Sequence, residues 1–198
     1  MVVGITGGIG SGKSTIVKKF SELGNIAIYN ADVEAKEIMN TSSIVKSKLI
    51  SLFGKDSYLK GQLNRKFISN IVFSDKEKLH ALNAIVHPEV YKHLKAFINI
   101  NVSKDYILYE NAILFENKSD SFCDFIITVS SSVSSRIERV IVRDGVSKEE
   151  VLNRINKQWS DNKKCLLSNY IIVNEDFNKL DSQIFRIHNN LTKNIHSI

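Results

Sequence analysis

The most informative stretch of this sequence is residues 7–14, which read Gly-Gly-Ile-Gly-Ser-Gly-Lys-Ser. They fit the pattern G-x-x-x-x-G-K-[ST] at every fixed position. Glycines in this pattern let successive backbone N–H groups converge on phosphate oxygens, and Lys13 adds a positive charge for the β and γ phosphates. The pattern predicts a nucleoside-triphosphate site; the alternative is a glycine-rich turn beside a solvated lysine. The predicted nucleotide contacts are Gly8, Ile9, Gly10, Ser11, Gly12, Lys13, Ser14 and Thr15.

Ser14 adds a second kind of chemistry, because its hydroxyl is placed to bind Mg²⁺ at the start of a helix. The elements around the loop suit this function. Residues 1–6 form a short apolar run typical of a buried strand, and apolar positions recur at helical spacing from Ser14 to Leu23. Residues 26–29 form a second strand that leads to Asn30 and Asp32. A strand–helix–strand unit this short predicts a right-handed crossover in a parallel sheet.

Residues 33–100 have a helical pattern with no clear strand, and we interpret them as a helical insertion. The sequence Ser-Asp-Lys-Glu at 74–77 has the spacing of a capping box before a helix. Pro88 suits the first turn of the next helix, where its missing N–H costs nothing. We expect the aromatic residues of this stretch to form its core, and the alternative is that some of them line a substrate groove: Phe53, Phe67, Phe73, Tyr91 and Phe97.

Strand character returns at residues 106–114, 125–129 and 170–173. These runs do not alternate with polar residues, as expected when both faces of a sheet are covered. Helical patterns cover residues 131–143, which are strongly basic, the stretch that follows the capping box at Ser147, and residues 177–191. The fold class is therefore α/β, with five parallel strands flanked by helices.

The composition excludes several classes of protein. The 198 residues fit one compact domain with an inserted module, and 43% hydrophobic content is enough for a sizeable core. No run approaches the roughly 18 apolar residues of a membrane span, and the first residues do not resemble a signal peptide, so we expect a cytoplasmic protein that does not bind membranes. Cys123 and Cys165 stand far apart and predict free thiols, and no transition-metal pattern is present.

The class of nucleotide-binding protein follows by elimination. Residues 117–120 match the guanine-reading N-K-x-D pattern, but no D-x-x-G occurs in the chain, so we interpret them as a surface loop. Motor and transport ATPases place a carboxylate after an apolar strand. Two candidate strands of this chain end at residues 111–116 and 128–130, and neither end has this form. Small-molecule kinases remain, with an Asp after the second strand and a basic lid.

Asp32 is the candidate catalytic base and an additional Mg²⁺ ligand. The alternative is that it caps a helix that starts near Glu34. Arg139 and Arg143 are four residues apart, so they share one face of a predicted lid helix and could neutralise charge on the triphosphate. The alternative for either arginine is a solvated basic face. We expect Arg136 and Arg154 to lie on the surface.

The chain also resembles the dephospho-CoA kinase family over essentially its whole length. The resemblance is carried by residues 4–15, Asn-Ala-Asp at 30–32, Gly61 with residues 63–65, 85–88, 113–116 as a strand end, Arg139, 143–145, Gln158, Lys163 and 170–174. Departures are Asn30 where the family often has Asp, Ala112 where it often has Pro, and Asn169 and Val173 in place of acidic residues. Asn30 removes one charge beside Asp32, which would affect Mg²⁺ affinity.

The resemblance implies a P-loop kinase fold and an enzyme that phosphorylates the ribose 3′-hydroxyl of dephospho-CoA, with ATP as co-substrate and Mg²⁺. It implies that Lys13, Asp32, Arg139 and Arg143 are catalytic. Arg65 and His87 would hold the acceptor together with Asp32, and Asn174 would border the adenine. On residues alone, His87 could equally cap or pack a helix, and Asn174 could belong to a connecting loop.

The implied organisation has three parts. They are a nucleotide-binding core (1–32, 104–130 and 165–198), an acceptor-binding insertion (33–103) and a lid (131–164). The implied partners are dephospho-CoA and ATP, in a monomer or small homo-oligomer. Two other functions stay open: another small-molecule kinase, such as a nucleoside or nucleotide kinase, and a nucleic-acid-associated NTPase, to which a pI near 9.2 could point. Because Lys and Arg are spread along the chain, anionic substrates explain the charge better and we expect no nucleic-acid partner.

Overall fold

The computed structural model describes residues 1–195. In chain order the strands are β1 (Val2–Thr6), β2 (Ile26–Asn30), β3 (Tyr58–Leu59), β4 (Gln62–Leu63), β5 (Tyr106–Glu110), β6 (Phe125–Ser130) and β7 (Tyr170–Val173). The helices are α1 (Lys13–Ser21), α2 (Ala31–Thr41), α3 (Ser43–Phe53), α4 (Arg65–Ser74), α5 (Lys76–Ile100), α6 (Val133–Asp144), α7 (Lys148–Ile155), α8 (Asp161–Leu166) and α9 (Phe177–Ile195). The chain divides into two compact units, residues 1–29 with 101–198 and residues 30–100.

The first unit is built on a five-stranded sheet in the order β2-β5-β1-β6-β7. Strand β1 is buried along its whole length and pairs in parallel with β5 and β6, opposite residues such as Ile107 and Ile126. Helices α1 and α9 pack together beside the sheet and bury apolar residues such as Phe20 and Ile184 against it. Burial on both faces explains why these strands do not alternate with polar residues, and the predicted α/β class is confirmed.

Strand β5 ends earlier than its apolar run predicts. The strand expected at 106–114 stops at Glu110, because the chain turns at Asn111. The Asn111 side chain accepts a hydrogen bond from the Ile113 N–H (3.0 Å) and donates one to the Tyr109 hydroxyl (2.9 Å). Such local bonds of an asparagine compete with strand pairing. The predicted strand end at 113–116 is therefore wrong, and these residues lie in the turns that follow.

The second unit, residues 30–100, contains helices α2 to α5 and a small hairpin that the sequence pattern did not predict. Strands β3 and β4 have two residues each and are joined by Lys60 (φ 49°) and Gly61 (φ 81°). Two consecutive positive φ angles characterise a tight hairpin turn. Strands this short have no detectable periodicity, which explains why none was predicted.

Helix α5 corrects two further expectations. Its cap is Asp75, whose carboxylate accepts from the Lys78 N–H (3.0 Å), whereas Ser74 is the last residue of α4. Pro88 lies inside α5 and does not begin a new helix. Apolar residues at helical spacing on both sides of it, Val86, Val90 and Leu94, are buried. This continuous apolar face stabilises the helix across the hydrogen bond that proline removes.

The core of the second unit is aliphatic. Its buried residues include Val45, Leu49 and Ile68 in addition to the face of α5. None of the five aromatic residues expected in this core is fully buried, and Phe73 is 71% exposed. Within residues 1–195, no helix is both long and apolar enough to cross a membrane.

Candidate active site

The loop between β1 and α1 has the backbone that its glycines predict. Gly10 (φ 79°) and Gly12 (φ 90°) occupy the left-handed region, and Gly12 directly precedes the first residue of α1. Residues other than glycine are strained at such φ angles. In addition, a side chain at Gly12 would collide with the amide of Asn174. The loop therefore carries a helix N-terminus with its N–H groups, which is the arrangement that binds phosphate.

Lys13 and Ser11 supply polar groups to this loop. The Lys13 Nζ donates to the carbonyl oxygens of Gly7 (2.8 Å) and Gly8 (3.4 Å), so the ammonium lies within the loop. The hydroxyl of Ser11 is buried, and it has no hydrogen-bond partner among the residues that the structure describes. A buried polar atom without a partner is costly, and an anion bound in the loop would supply one.

Ser14 meets a carboxylate that the sequence reasoning missed. Its Oγ donates to Oε1 of Glu110 at 2.9 Å, and Glu110 is only 7% exposed at the end of β5. A serine hydroxyl beside a carboxylate provides two oxygen donors of the type that Mg²⁺ takes. The signal was present, because Glu110 directly follows the apolar residues of β5. The prediction that no strand ends in such a carboxylate is wrong, because this strand was expected to continue to residue 114 and ends at Glu110.

Arg139 and Arg143, both in α6, differ in what they contact. Arg139 donates to the carbonyl oxygen of Gly10 (3.4 Å), to Ser131 Oγ (3.0 Å) and to the carbonyl oxygen of Asn174 (2.9 Å). Arg143 is exposed and donates from Nε to Asp144 at 2.7 Å. The hydrogen bond from Arg143 lowers the pKa of Asp144. Arg139 therefore contacts the phosphate loop (residues 7–14), and Arg143 forms a pair within α6.

Asn174 follows the last strand and also contacts the loop. Its Nδ2 donates to the carbonyl oxygen of Ser11 at 2.7 Å. The next residue, Glu175, accepts from the Ser132 N–H and from Ser131 Oγ (2.9 Å), and these hydrogen bonds lower its pKa. The structure thus brings Asn174, Arg139 and residues 7–14 together.

Arg136 corrects a prediction. It was expected on the surface, but it is 4% exposed and its Nε donates to the carbonyl oxygen of Ile9 at 2.9 Å. Arg154 is half-buried and pairs with Asp144 at 2.7 Å. Sequence alone does not separate the two, because the burial of Arg136 depends on how α6 packs on the loop.

Asp32 lies in the first turn of α2, and its side chain is exposed. It is not the helix cap. Asn30 has that position, and its Oδ1 accepts from the Val33 N–H at 3.0 Å. The capping alternative for Asp32 is therefore wrong. The departure from the family at Asn30 keeps a capping residue at this helix N-terminus.

Comparison with known proteins gives the family. The profile of the dephospho-CoA kinase family (CoaE) matches residues 1–179. The chain belongs to the dephospho-CoA kinase family. Members of this family catalyse the ATP-dependent phosphorylation of dephospho-CoA, the last step of CoA biosynthesis. The resemblance stated from the sequence is confirmed, and so is the class of enzyme.

Individual relatives agree with this family. The chain is 32% identical to the dephospho-CoA kinase of Bacteroides fragilis over 98% of this chain and 94% of that protein. It is 39% identical to the dephospho-CoA kinase of Chlorobium chlorochromatii over 88% and 85% of the two chains. Among solved structures, TT1252 from Thermus thermophilus is similar, with a TM-score of 0.85 and 29% identity over 94% of this chain and 95% of that chain. The predicted P-loop kinase fold is confirmed.

The two residues that the resemblance to dephospho-CoA kinases assigns to the acceptor lie in the unit 30–100. Arg65 is the first residue of α4 and is exposed. His87 lies within α5, so it does not cap a helix, and its ring is 6.0 Å from that of Tyr91 between centroids. Burial lowers the pKa of His87. The lowered pKa favours the neutral ring, which offers a hydrogen bond.

Proposed function

We propose that this chain transfers the γ-phosphoryl group of ATP to the ribose 3′-hydroxyl of dephospho-CoA, giving CoA and ADP. The observation that carries the proposal is the loop at residues 7–14, with Lys13 within it and the Ser14–Glu110 pair at its end. The family supplies the identity of the acceptor.

ATP binding is assigned to the loop and to the residues packed on it. The N–H groups of residues 8–15 and the N-terminus of α1 would bind the phosphates, and Lys13 would neutralise charge on the β and γ phosphates. The buried Ser11 hydroxyl supports a ligand in this loop. Asn174 would border the adenine, which agrees with its position beside Gly12.

Mg²⁺ is assigned to Ser14 and Asp32, with Glu110 added. The Ser14 hydroxyl and the buried Glu110 carboxylate fit a hard cation, because both offer oxygen and are already 2.9 Å apart. When bound, Mg²⁺ neutralises negative charge on the phosphates of ATP that take part in the transfer. This assignment would make Glu110 the carboxylate that P-loop proteins place at the end of a neighbouring strand.

Asp32 is assigned as the base. The 3′-oxygen of the acceptor forms a bond to the γ-phosphorus, and the bond from that phosphorus to the β–γ bridging oxygen breaks. The electron pair of the broken bond leaves on ADP, and the hydroxyl proton goes to the Asp32 carboxylate. In a largely dissociative transfer, such a base acts mainly by orienting the nucleophile.

The remaining site residues are assigned to the proposed lid and to the unit 30–100. Arg139 and Arg143 would stabilise charge on the triphosphate, and the contact of Arg139 with the Gly10 carbonyl supports its role. Arg65 and His87 would hold the acceptor. Residues 33–103 would form the acceptor-binding insertion, residues 131–164 the lid, and residues 1–32, 104–130 and 165–198 the nucleotide-binding core. We further propose a cytoplasmic monomer or small homo-oligomer without nucleic-acid or membrane partners.

A coupled ADP-release assay with Mg-ATP tests the proposal. The acceptors are dephospho-CoA, adenosine, uridine, AMP and CMP, and the product is analysed by mass and by the position of the added phosphate. Turnover with dephospho-CoA alone, with one phosphoryl group added at the ribose 3′ position, is expected. Turnover with a nucleoside or nucleotide would overturn the acceptor and the roles of Arg65 and His87.

A further inference from the structure

One peptide segment of the phosphate loop is held on both sides by residues of the lid. The Ile9 N–H donates to Oε1 of Gln158 at 2.8 Å. The Ile9 carbonyl oxygen accepts from Nε of Arg136 at 2.9 Å. Both backbone groups of Ile9 are therefore engaged by side chains that come from more than 120 positions later in the chain.

Arg136 is unusually buried for an arginine. Its side chain is 5% exposed, whereas that of Arg143 in the same helix is 61% exposed. Its charge is paired with Asp161, with Nη1 at 3.1 Å from Oδ1. Neither Asp161 oxygen makes a hydrogen bond among the described residues, so this is an ion pair without hydrogen-bond geometry. Burying two charges costs free energy of desolvation, so this ion pair is not a chance contact between surface side chains.

Two glycines of the loop fit around Arg136. A side chain at Gly8 would collide with its guanidinium group, and one at Gly10 would collide with its backbone carbonyl. The loop and α6 are thus packed in direct contact at this point. Gly8 has no positive φ angle, so the space that Arg136 occupies explains why a glycine stands there.

We infer that Arg136 is a positioning residue that fixes the phosphate loop from the lid, with Asp161 holding its guanidinium and Gln158 fixing the adjoining peptide. In a trans peptide the C=O and the next N–H point in opposite directions. When Arg136 holds the Ile9 carbonyl, the Gly10 N–H therefore points away from Arg136. Loss of the contact frees this peptide to rotate, so that the loop no longer presents a fixed set of N–H donors. The inference rests on the proposed binding of ATP in this loop.

The test measures nucleotide binding and catalysis separately. The variants are Arg136→Gln, Arg136→Lys, Asp161→Asn, Gln158→Ala and the double variant Arg136→Gln/Asp161→Asn. Arg154→Gln is the control, because it removes one positive charge from the lid without contact to the loop. Calorimetry with Mg²⁺ and the β,γ-imido analogue of ATP gives Kd, steady-state kinetics give kcat and both KM values, and thermal unfolding gives Tm.

A positioning role predicts a Kd for the analogue about tenfold or more higher in Arg136→Gln, since a hydrogen bond to a charged group is lost. Arg136→Lys recovers part of this loss, because lysine keeps the charge but not the fork of donors. The KM for dephospho-CoA stays unchanged. The double variant is no weaker than Arg136→Gln, as expected if Asp161 acts through Arg136. Arg154→Gln matches the wild type.

Other outcomes overturn the inference. A lower kcat with unchanged Kd would mean that Arg136 acts on the reacting phosphate itself. A lower Tm together with proportional increases in the KM values for ATP and for dephospho-CoA would indicate that Arg136 has a merely structural role. If Arg136→Gln does not fold, Gln158→Ala decides, because it removes the other Ile9 contact and leaves no buried charge; an unchanged Kd there contradicts the inference. Calorimetry needs no acceptor, so it still decides if dephospho-CoA proves not to be the substrate.

Discussion

Ser14 Oγ and Glu110 Oε1 lie 2.9 Å apart, although 96 positions separate these residues in the chain. The contact joins the first turn of α1 to the end of β5. It is possible because β1, which leads into the loop, pairs directly with β5 in the sheet. The pair therefore depends on a sheet register as much as on the loop motif.

Replacing Glu110 with Gln tests whether this pair holds Mg²⁺. The amide still accepts the Ser14 hydrogen bond but removes the negative charge. We expect the Mg²⁺ concentration for half-maximal activity to rise about tenfold or more. Magnesium titration at saturating ATP measures it, with Glu149→Gln, an exposed carboxylate on α7, as the control. An unchanged Mg²⁺ dependence would remove Glu110 from the metal site.

Replacing Asp32 with Asn tests the catalytic base. The change removes the proton acceptor and keeps the shape, so kcat should fall about 10²- to 10⁴-fold. The phosphate loop is unaltered, and we expect the Kd for the ATP analogue to stay near that of the wild type. Asp56→Asn, in the same helical unit, is the control. Wild-type turnover in Asp32→Asn would contradict the assignment.

The lid arginines are tested by Arg139→Ala and Arg143→Ala. If their charge stabilises the transferring phosphoryl group, each change lowers kcat more than it weakens ATP binding. We expect the larger effect for Arg139, because it already contacts the Gly10 carbonyl. Steady-state kinetics and calorimetry measure the two quantities. Wild-type kcat in both variants would show that the lid carries no catalytic charge.

Lys164 predicts a strong effect on stability. It is fully buried, donates from Nζ to the carbonyl oxygen of Ala112 (2.7 Å) and forms an ion pair with Oε1 of Glu116 (2.9 Å). Lys164→Met leaves the Glu116 carboxylate, whose side chain is 15% exposed, without its cation, so the free energy of unfolding should fall by about 3–5 kcal/mol. Urea unfolding measures it. Lys179→Met, on a side chain that is 79% exposed, should change it little.

His188 predicts a pH dependence of stability. Burial lowers its pKa, and Asp105 opposes this shift. The unfolded chain therefore binds a proton at higher pH than the folded chain, so stability should fall as the pH drops below about 6.5. A protonated ring cannot accept a hydrogen bond at Nδ1, which lies 2.9 Å from the Tyr106 hydroxyl, whereas a neutral ring can.

Urea unfolding between pH 7.5 and pH 5 measures this effect in the wild type and in His188→Gln, which cannot titrate. On acidification, the free energy of unfolding should fall less in His188→Gln than in the wild type. The fall that remains in the variant includes the contribution of His87, because burial also lowers the pKa of that residue. The exposed His80, replaced by Gln, is the control. An equal loss in His188→Gln and in the wild type would refute the assignment.

The phosphate loop could be predicted from the sequence because its properties are local. Its glycine conformations, its lysine and the helix that follows are set by residues within a single short stretch. The Ser147 capping box was predicted for the same reason, and the structure contains both of its hydrogen bonds. Glu110 was missed by a boundary error, since an apolar run continues past the point where Asn111 turns the chain.

Arg136 could not be assigned from the sequence for a different reason. The arginines of α6 look alike in sequence, and their burial is decided by tertiary packing. Arg136 faces residues 8–10, whereas Arg143 faces Asp144. The hairpin at residues 58–63 was missed because two-residue strands carry no periodic signal.

The position of β1 has a consequence for how the chain folds during synthesis. This strand is the centre of the sheet, yet Val2 pairs with Ile107 and Thr6 pairs with Thr128. A ribosome must therefore release well over a hundred residues before the central strand finds both neighbours. Such non-local pairing slows folding and leaves an apolar strand without partners in the nascent chain. A chaperone that binds short apolar segments would find its first target in the strand that leads into the phosphate loop.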